Sequence, residues 1–151
     1  ATKLVQLQRV VITTPTLTTA AYLIALMQKH STAWTGGTLS NGIAAFAAAL
    51  TNVPVFATAA QAATAVNSCW SAGPTGGGAL VGTLASRRFF ASPTTAAAGM
   101  QLVEFDFRTL GGNTIPPTLD GVAQSISLAW AVAPASAVSL CVDAEWTEED
   151  A

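Results

Sequence analysis

The chain contains one histidine, His30, between Lys29 and Ser31. Any Ser/His/Asp or Cys/His mechanism needs a base beside its nucleophile, so His30 would have to serve it. It falls in a stretch that reads as a polar turn, and a lone histidine excludes a three-His metal site. Glu104 and Asp106 alternate along one segment and could pair carboxylates for glycosidic chemistry. The same spacing is shown by any solvated strand face. The run Gly76-Gly77-Gly78-Ala79-Leu80-Val81-Gly82 has the outline of a phosphate loop but places Ala79 where such a loop needs lysine. A tightly turning surface loop accounts for it. The sequence thus predicts no catalytic residues, no resident cofactor and no enzymatic activity.

Binding chemistry is represented more fully. The basic residues are Lys3, Arg9, Lys29, Arg87, Arg88 and Arg108, and Arg87-Arg88-Phe89-Phe90 is the compact basic and aromatic cluster. Arg87 and Arg88, with Lys3 and Arg9, are candidates for contact with nucleic-acid phosphates, weak and non-specific because so few charges are available. The simpler alternative is a strand start whose arginines face solvent or a neighbouring subunit. Among the tryptophans, Trp130 and Trp146 share faces with aliphatic residues and are expected in the core. Trp34, followed by Thr35 and Gly36-Gly37, is the candidate for a subunit contact. Asp143 and Glu145 are weak Ca²⁺ candidates beside the reading of a solvated terminus. Cys69 and Cys141 lie in no metal-binding or redox motif; two small buried hydrophobes and a disulfide are both compatible with them.

Composition limits what can carry these residues. Of 151 residues, 51% are hydrophobic and only 9% charged, against roughly 25% charged in ordinary soluble domains. No Asp, Glu, Lys or Arg occurs between Lys29 and Arg87. A surface this poor in charge is expected to be covered by partners rather than to repel them. The net charge of −2 hides an asymmetry, because five of the eight acids (Asp143, Glu145, Glu148, Glu149 and Asp150) cluster at the end of the chain. No membrane span is expected, since Asn52, Pro54 and Gln61 interrupt the long Ala-rich stretch. Starting on Ala1-Thr2-Lys3 without methionine or a basic-then-apolar leader, the chain reads as processed or as part of something longer.

The elements follow from periodicity. Ile126, Leu128, Trp130 and Val132 alternate with Ser125, Ser127, Ala129 and Ala131; after Pro134, the row Val138, Leu140, Val142, Ala144, Trp146 alternates with Ser139, Cys141, Asp143 and Glu145. The two segments read as a β-hairpin, with Ser127 toward solvent. Val103, Phe105 and Phe107 alternate with Glu104, Asp106 and Arg108 in another strand, and the long link from there to Ser125, through Gly111-Gly112 and Pro116-Pro117, reads as a loop. Residues 3–13 read as a strand ended by Thr14-Pro15. Residues 19–28 favour a helix by composition and a buried strand by length and flanks. Ile43, Phe46, Ala47 and Leu50 have helical spacing after Ser40-Asn41. Short strands are expected at 53–59, 64–72 and 86–91. One domain over residues 1–151 is expected: all-β, an eight-stranded antiparallel jelly-roll sandwich with one or two short helices in its loops.

A short helix before the fourth strand, then the pair Cys69-Trp70 followed by Gly73-Pro74, then two closing strands around Pro134, resembles the coat proteins of tymoviruses and their marafivirus-like relatives. That resemblance implies a capsid subunit of a small icosahedral RNA virus that assembles with copies of itself around weakly bound genomic RNA, with no membrane partner. The virion, and the host cytoplasm during assembly, would be its location. Two other expectations stand beside it: a jelly-roll lectin or adhesin using Trp34 and the 73–78 loop, and a phage or pilus structural subunit.

Overall fold

The structure is a computed structural model that describes residues 3–17, 20–34, 38–39, 70–72, 76–91, 102–108, 116–120, 124–135 and 138–150. The helix expected after Ser40, the strand at 53–59, most of that at 64–72, and Cys69 lie outside them. The described residues form nine strands: β1 (Lys3–Leu17), β2 (Ala21–His30), β3 (Thr38–Leu39), β4 (Trp70–Ala72), β5 (Leu80–Ala91), β6 (Leu102–Asp106), β7 (Thr118–Asp120), β8 (Ser125–Trp130) and β9 (Val138–Asp150). All pairings are antiparallel. The chain is therefore all-β in its described parts.

Two sheets dominate. In the first, β1 is central, with β9 along one edge and β6 and β7 in succession along the other. In the second, β2 is central between β5 and β8. The pair β3 and β4 forms a separate short ladder. The segment read as helix or strand at 19–28 contains β2 (Ala21–His30) although alanine, leucine and methionine favour helix, because alternate residues Leu23, Ala25 and Met27 bury into a core shared with the facing sheet. Packing outweighs intrinsic propensity here.

Several expectations need correction. The last two strands are not a hairpin: β8 pairs with β2 and β9 pairs with β1, so residues 131–137 carry the chain from one sheet to the other. Alternation reports which face a residue occupies but not which strand lies beside it. Strand β1 does not stop at Thr14. It runs through Pro15 to Leu17, with a register shift between Thr13 and Thr16 where the proline needs no ladder partner. The strand expected at 86–91 begins at Leu80, and the link expected to be loop between Arg108 and Ser125 contains β7, too short to show alternation.

The core is built from matched rows. Register places Ile12 opposite both Val103 and Val142, and Val10 opposite Phe105 and Ala144. It likewise places Leu23 opposite Phe89, and Ala25 opposite Trp130. Val10, Ile12, Val103, Phe105 and Phe107 pack against Leu23, Ala25, Met27, Phe89 and Ala91, with Ile126, Leu128 and Trp130 at the margin. Trp130 meets Phe89 with ring centroids 5.9 Å apart. Lys29 ties the sheets at one end by donating from Nζ to the carbonyl of Thr118, 2.6 Å away.

The core is uneven, and substitution measures that. Phe105→Ala, at 1% exposure, is expected to cost about 3–5 kcal/mol in denaturant melts through lost burial and the cavity left behind. Leu102→Ala, three residues away and 59% exposed, should change stability by less than about 0.5 kcal/mol.

Candidate functional site

The outer faces of the two sheets differ in chemistry. On the first, alternation brings Arg9, Glu104, Asp106 and Glu145 to one side, as the Glu104/Asp106 spacing predicted. Arg9 donates to Glu104 and, at 3.0 Å, to Glu145. Arg108 donates to Asp106 at 3.1 Å and to the second oxygen of Glu145 at 3.2 Å. Hydrogen bonding to Glu104, then to Glu145, raises the pKa of Arg9; that of Arg108 is raised chiefly by Asp106. The carboxylates are thus neutralised by guanidinium groups. Glu145, a weak calcium candidate, is shared between two arginines, and Asp143 lies exposed on the same strand. Among the described residues no cluster of metal-ligating side chains occurs.

The outer face of the second sheet is apolar and aromatic. Strand β2 turns one row, Leu23, Ala25 and Met27, inward and the other, Tyr22, Ile24 and Leu26, outward. Both rows are apolar. Tyr22 is 64% exposed and Ile24 41%. Tyr22 lies opposite Phe90 of β5, with ring centroids 5.1 Å apart. Arg88, opposite Ile24 in register, sets its guanidinium 4.5 Å from the centre of the Tyr22 ring, a cation–π placement. A shallow depression bordered by Tyr22, Ile24, Val132 and Pro134 continues the patch toward the crossing segment. The sequence identified Phe90 only within a basic cluster and left Tyr22 and Ile24 unremarked. The signal was present in the two apolar rows of residues 21–27, but it was shared between helix and strand.

The adjacent arginines separate. Arg88 joins this outer face, whereas Arg87 points toward the first sheet, with Nε donating to the Glu104 carbonyl at 3.2 Å and its guanidinium 5.6 Å from the Phe105 ring centre. Arg87 also donates to the carbonyl of Ser86. Arg9 is held by Glu104 and Glu145, and the backbone of Lys3 pairs in register with Asp150. Arg9, Arg87 and Arg88 therefore form no single patch.

His30 is not in a polar turn. It ends β2, is buried at 6% exposure, and its Nε2 lies 2.9 Å from Ser127 Oγ of β8. Trp34, the subunit-contact candidate, is half-buried and meets His30 edge-on, with centroids 4.8 Å apart. Gly77 passes so close beneath Trp34 that a β-carbon there would lie 2.5 Å from the indole. Gly76 and Gly78 adopt positive φ of 85° and 63°, a backbone region open to glycine. The turn is anchored by Thr32 donating to the Gly76 carbonyl and by Ser31 accepting from the Ala79 amide. The glycine run is thus a seat for Trp34. A Ser/His pair exists at Ser127 and His30, but among the described residues no carboxylate orients His30; its Nδ1 is buried without a hydrogen-bond partner, as is Trp34 Nε1. No helix among the described residues is long and apolar enough to cross a membrane. Comparison with protein-family models, curated proteins and solved structures found no match to this chain.

Burial lowers the pKa of His30. Its stability contribution is therefore complete above the ordinary imidazole value of about 6.5 and is lost as pH falls through that value toward the folded one. Thermal melts between pH 8 and pH 5.5 should show this loss in the wild type and a shallower one in His30→Gln. Ser127→Ala, neutral if Ser127 simply faced solvent, should instead cost about 1–3 kcal/mol, because it removes the partner of a buried ring nitrogen.

Proposed function

We propose that this protein is a structural subunit, the coat protein of a small icosahedral RNA virus, and that its fold is a jelly roll. The observation that carries the assembly reading is the outer face of the second sheet, where Tyr22, Ile24 and Phe90 stand exposed in a chain with 9% charged residues. Contiguous apolar surface of this kind marks a contact with another macromolecule. The strand order supports the jelly roll: β2 with β5 and β1 with β6 are nested pairs lying in opposite sheets, and β8 and β9 return to flank β2 and β1. Such nesting is the wrapping of antiparallel strands that produces a double-sheet roll.

The placement of cations supports weak dependence on RNA. Arg9 and Arg108 are neutralised by carboxylates, Arg87 is engaged with backbone carbonyls, and Lys29 with Thr118. Nucleic-acid affinity scales with the phosphates neutralised, so shell formation rests on uncharged contacts and RNA is a passenger.

Sedimentation and electron microscopy test the proposal. The protein should form closed spherical particles that persist at high salt, because screening leaves apolar contacts intact. Ile24→Glu should yield a folded subunit with an unchanged far-ultraviolet dichroism spectrum but no particles. Arg88→Ala should retain particles and lower their 260/280 nm absorbance ratio, whereas Arg87→Ala should mainly lower the melting temperature. A glycan-binding monomer would support the lectin reading instead, and a fibre the pilus reading.

A further inference from the structure

The end of β2 is built less regularly than its middle. Its ladder with β5 shifts register after Met27 and again after Lys29. Past those shifts the chain is held by a few hydrogen bonds: the Ser31 amide to the Ala79 carbonyl, Thr32 Oγ1 to the Gly76 carbonyl and Ser125 Oγ to the Thr32 carbonyl. Trp34, which meets His30 edge-on, is not part of the core cluster. A bounded set of contacts like this can open while the core stays closed. Two nitrogens in it, His30 Nδ1 and Trp34 Nε1, are buried without a hydrogen-bond partner, so closure carries a desolvation cost that opening to water relieves. A neutral imidazole tolerates this, because its single hydrogen can sit on Nε2 toward Ser127 Oγ and leave Nδ1 a bare acceptor. A second proton turns Nδ1 into a buried, charged donor with nothing to receive it. Every Asp, Glu, Lys and Arg of the chain lies among the described residues. Residues 31–34, 76–86 and 125–130, which touch or pair with His30, contain none. Lys29, its neighbour on β2, sends its ammonium to the Thr118 carbonyl, and Asp120, on β7 ahead of β8, pairs in register with Leu4. Burial is the cause that lowers the pKa of His30.

We propose that these residues form a latch opened by acid: on gaining a proton His30 leaves Ser127, Trp34 lifts off Gly77, and the end of β2 parts from β5 and β8 while the core stays folded. The open imidazole takes up its proton near the ordinary value of about 6.5. The closed one does so only at lower pH, so opening is linked to uptake of one proton and becomes easier as pH falls through that value. Glycine is required at the seat, since a β-carbon on Gly77 would lie 2.5 Å from the indole. Opening adds the Trp34 ring to Leu80 and Val81, which already stand exposed beside the turn. Acid thus enlarges an apolar surface at this end of the molecule. The latch stands apart from the coat reading, which rests on the outer face of the second sheet.

Hydrogen exchange read by mass spectrometry between pH 8 and pH 5.5 tests this, with the intrinsic pH dependence of amide exchange divided out. In the wild type, opening of residues 29–34 and 76–82 should increase as pH falls below about 6.5, reaching up to about tenfold at pH 5.5 for one proton taken up. Residues 10–12 and 103–107, in the core, should not respond. In His30→Gln, which has nothing to titrate, the pH response of the first two segments should disappear. Gly77→Ala, which unseats Trp34, should hold the latch open, so that those segments exchange at pH 8 at least as fast as the wild type does at pH 5.5. Should either variant not fold, the wild-type profile decides by its location and its pH window. Exchange unchanged down to pH 5.5, a response that persists in His30→Gln, or acceleration shared equally by the core would each overturn the proposal.

Discussion

The apposition of two central strands, β1 and β2, supports the other strands of both main sheets. Each lies in the middle of its sheet, and each turns one row inward, Val10 and Ile12 from the first and Leu23, Ala25 and Met27 from the second. The remaining long strands reach the core by pairing with one of these two. Because consecutive side chains alternate faces, a slip of one residue in either central strand would exchange its whole buried row for its outer row. The register shifts in β1, after Leu7 and after Thr13, are tolerated because the pairs between them bring Val10 and Ile12 back to the core.

The same alternation produces two unlike surfaces. The outer row of β1 contributes Arg9 to a network with Glu104, Glu145, Asp106 and Arg108. Such exposed pairs add little stability each, but they satisfy one another and leave a face with no strong net charge. The outer row of β2 contributes Tyr22 and Ile24 and gathers Phe90 and Arg88 beside them. A face of this kind loses little on desolvation, since Arg88 already rests on an aromatic ring. The two faces of the molecule thus differ in chemistry while neither carries a large charge.

A second constraint operates at the His30 end. His30, Trp34, Ser127 and Gly77 pack together, joining β2, β8 and the turn before β5. Burial lowers the pKa of the imidazole there, so protonation works against the packing of this junction. The residues read in sequence as candidate chemistry, a lone histidine, an unusual tryptophan and a glycine run, form one structural joint.

What the sequence determined by itself was whatever depends on neighbours along the chain. The period-2 rows in residues 102–108, 125–130 and 138–146 identified strands and their faces, and the Glu104/Asp106 spacing placed both acids on one side, because alternation is a property of the extended backbone alone. The low charge and the acidic end were legible for the same reason. Which strand lies beside which was decided only by the tertiary structure. Residues 125–146 alternate identically whether they form a hairpin or an arch between sheets, and only the positions of β1 and β2 selected the arch. Arg87 and Arg88 are adjacent in sequence and diverge because extended backbone sends them to opposite faces. Ser127 alternates as a solvent-facing residue yet is half-buried and engaged with His30, which is distant in sequence. Burial is a property of what packs on top, and no local pattern records that.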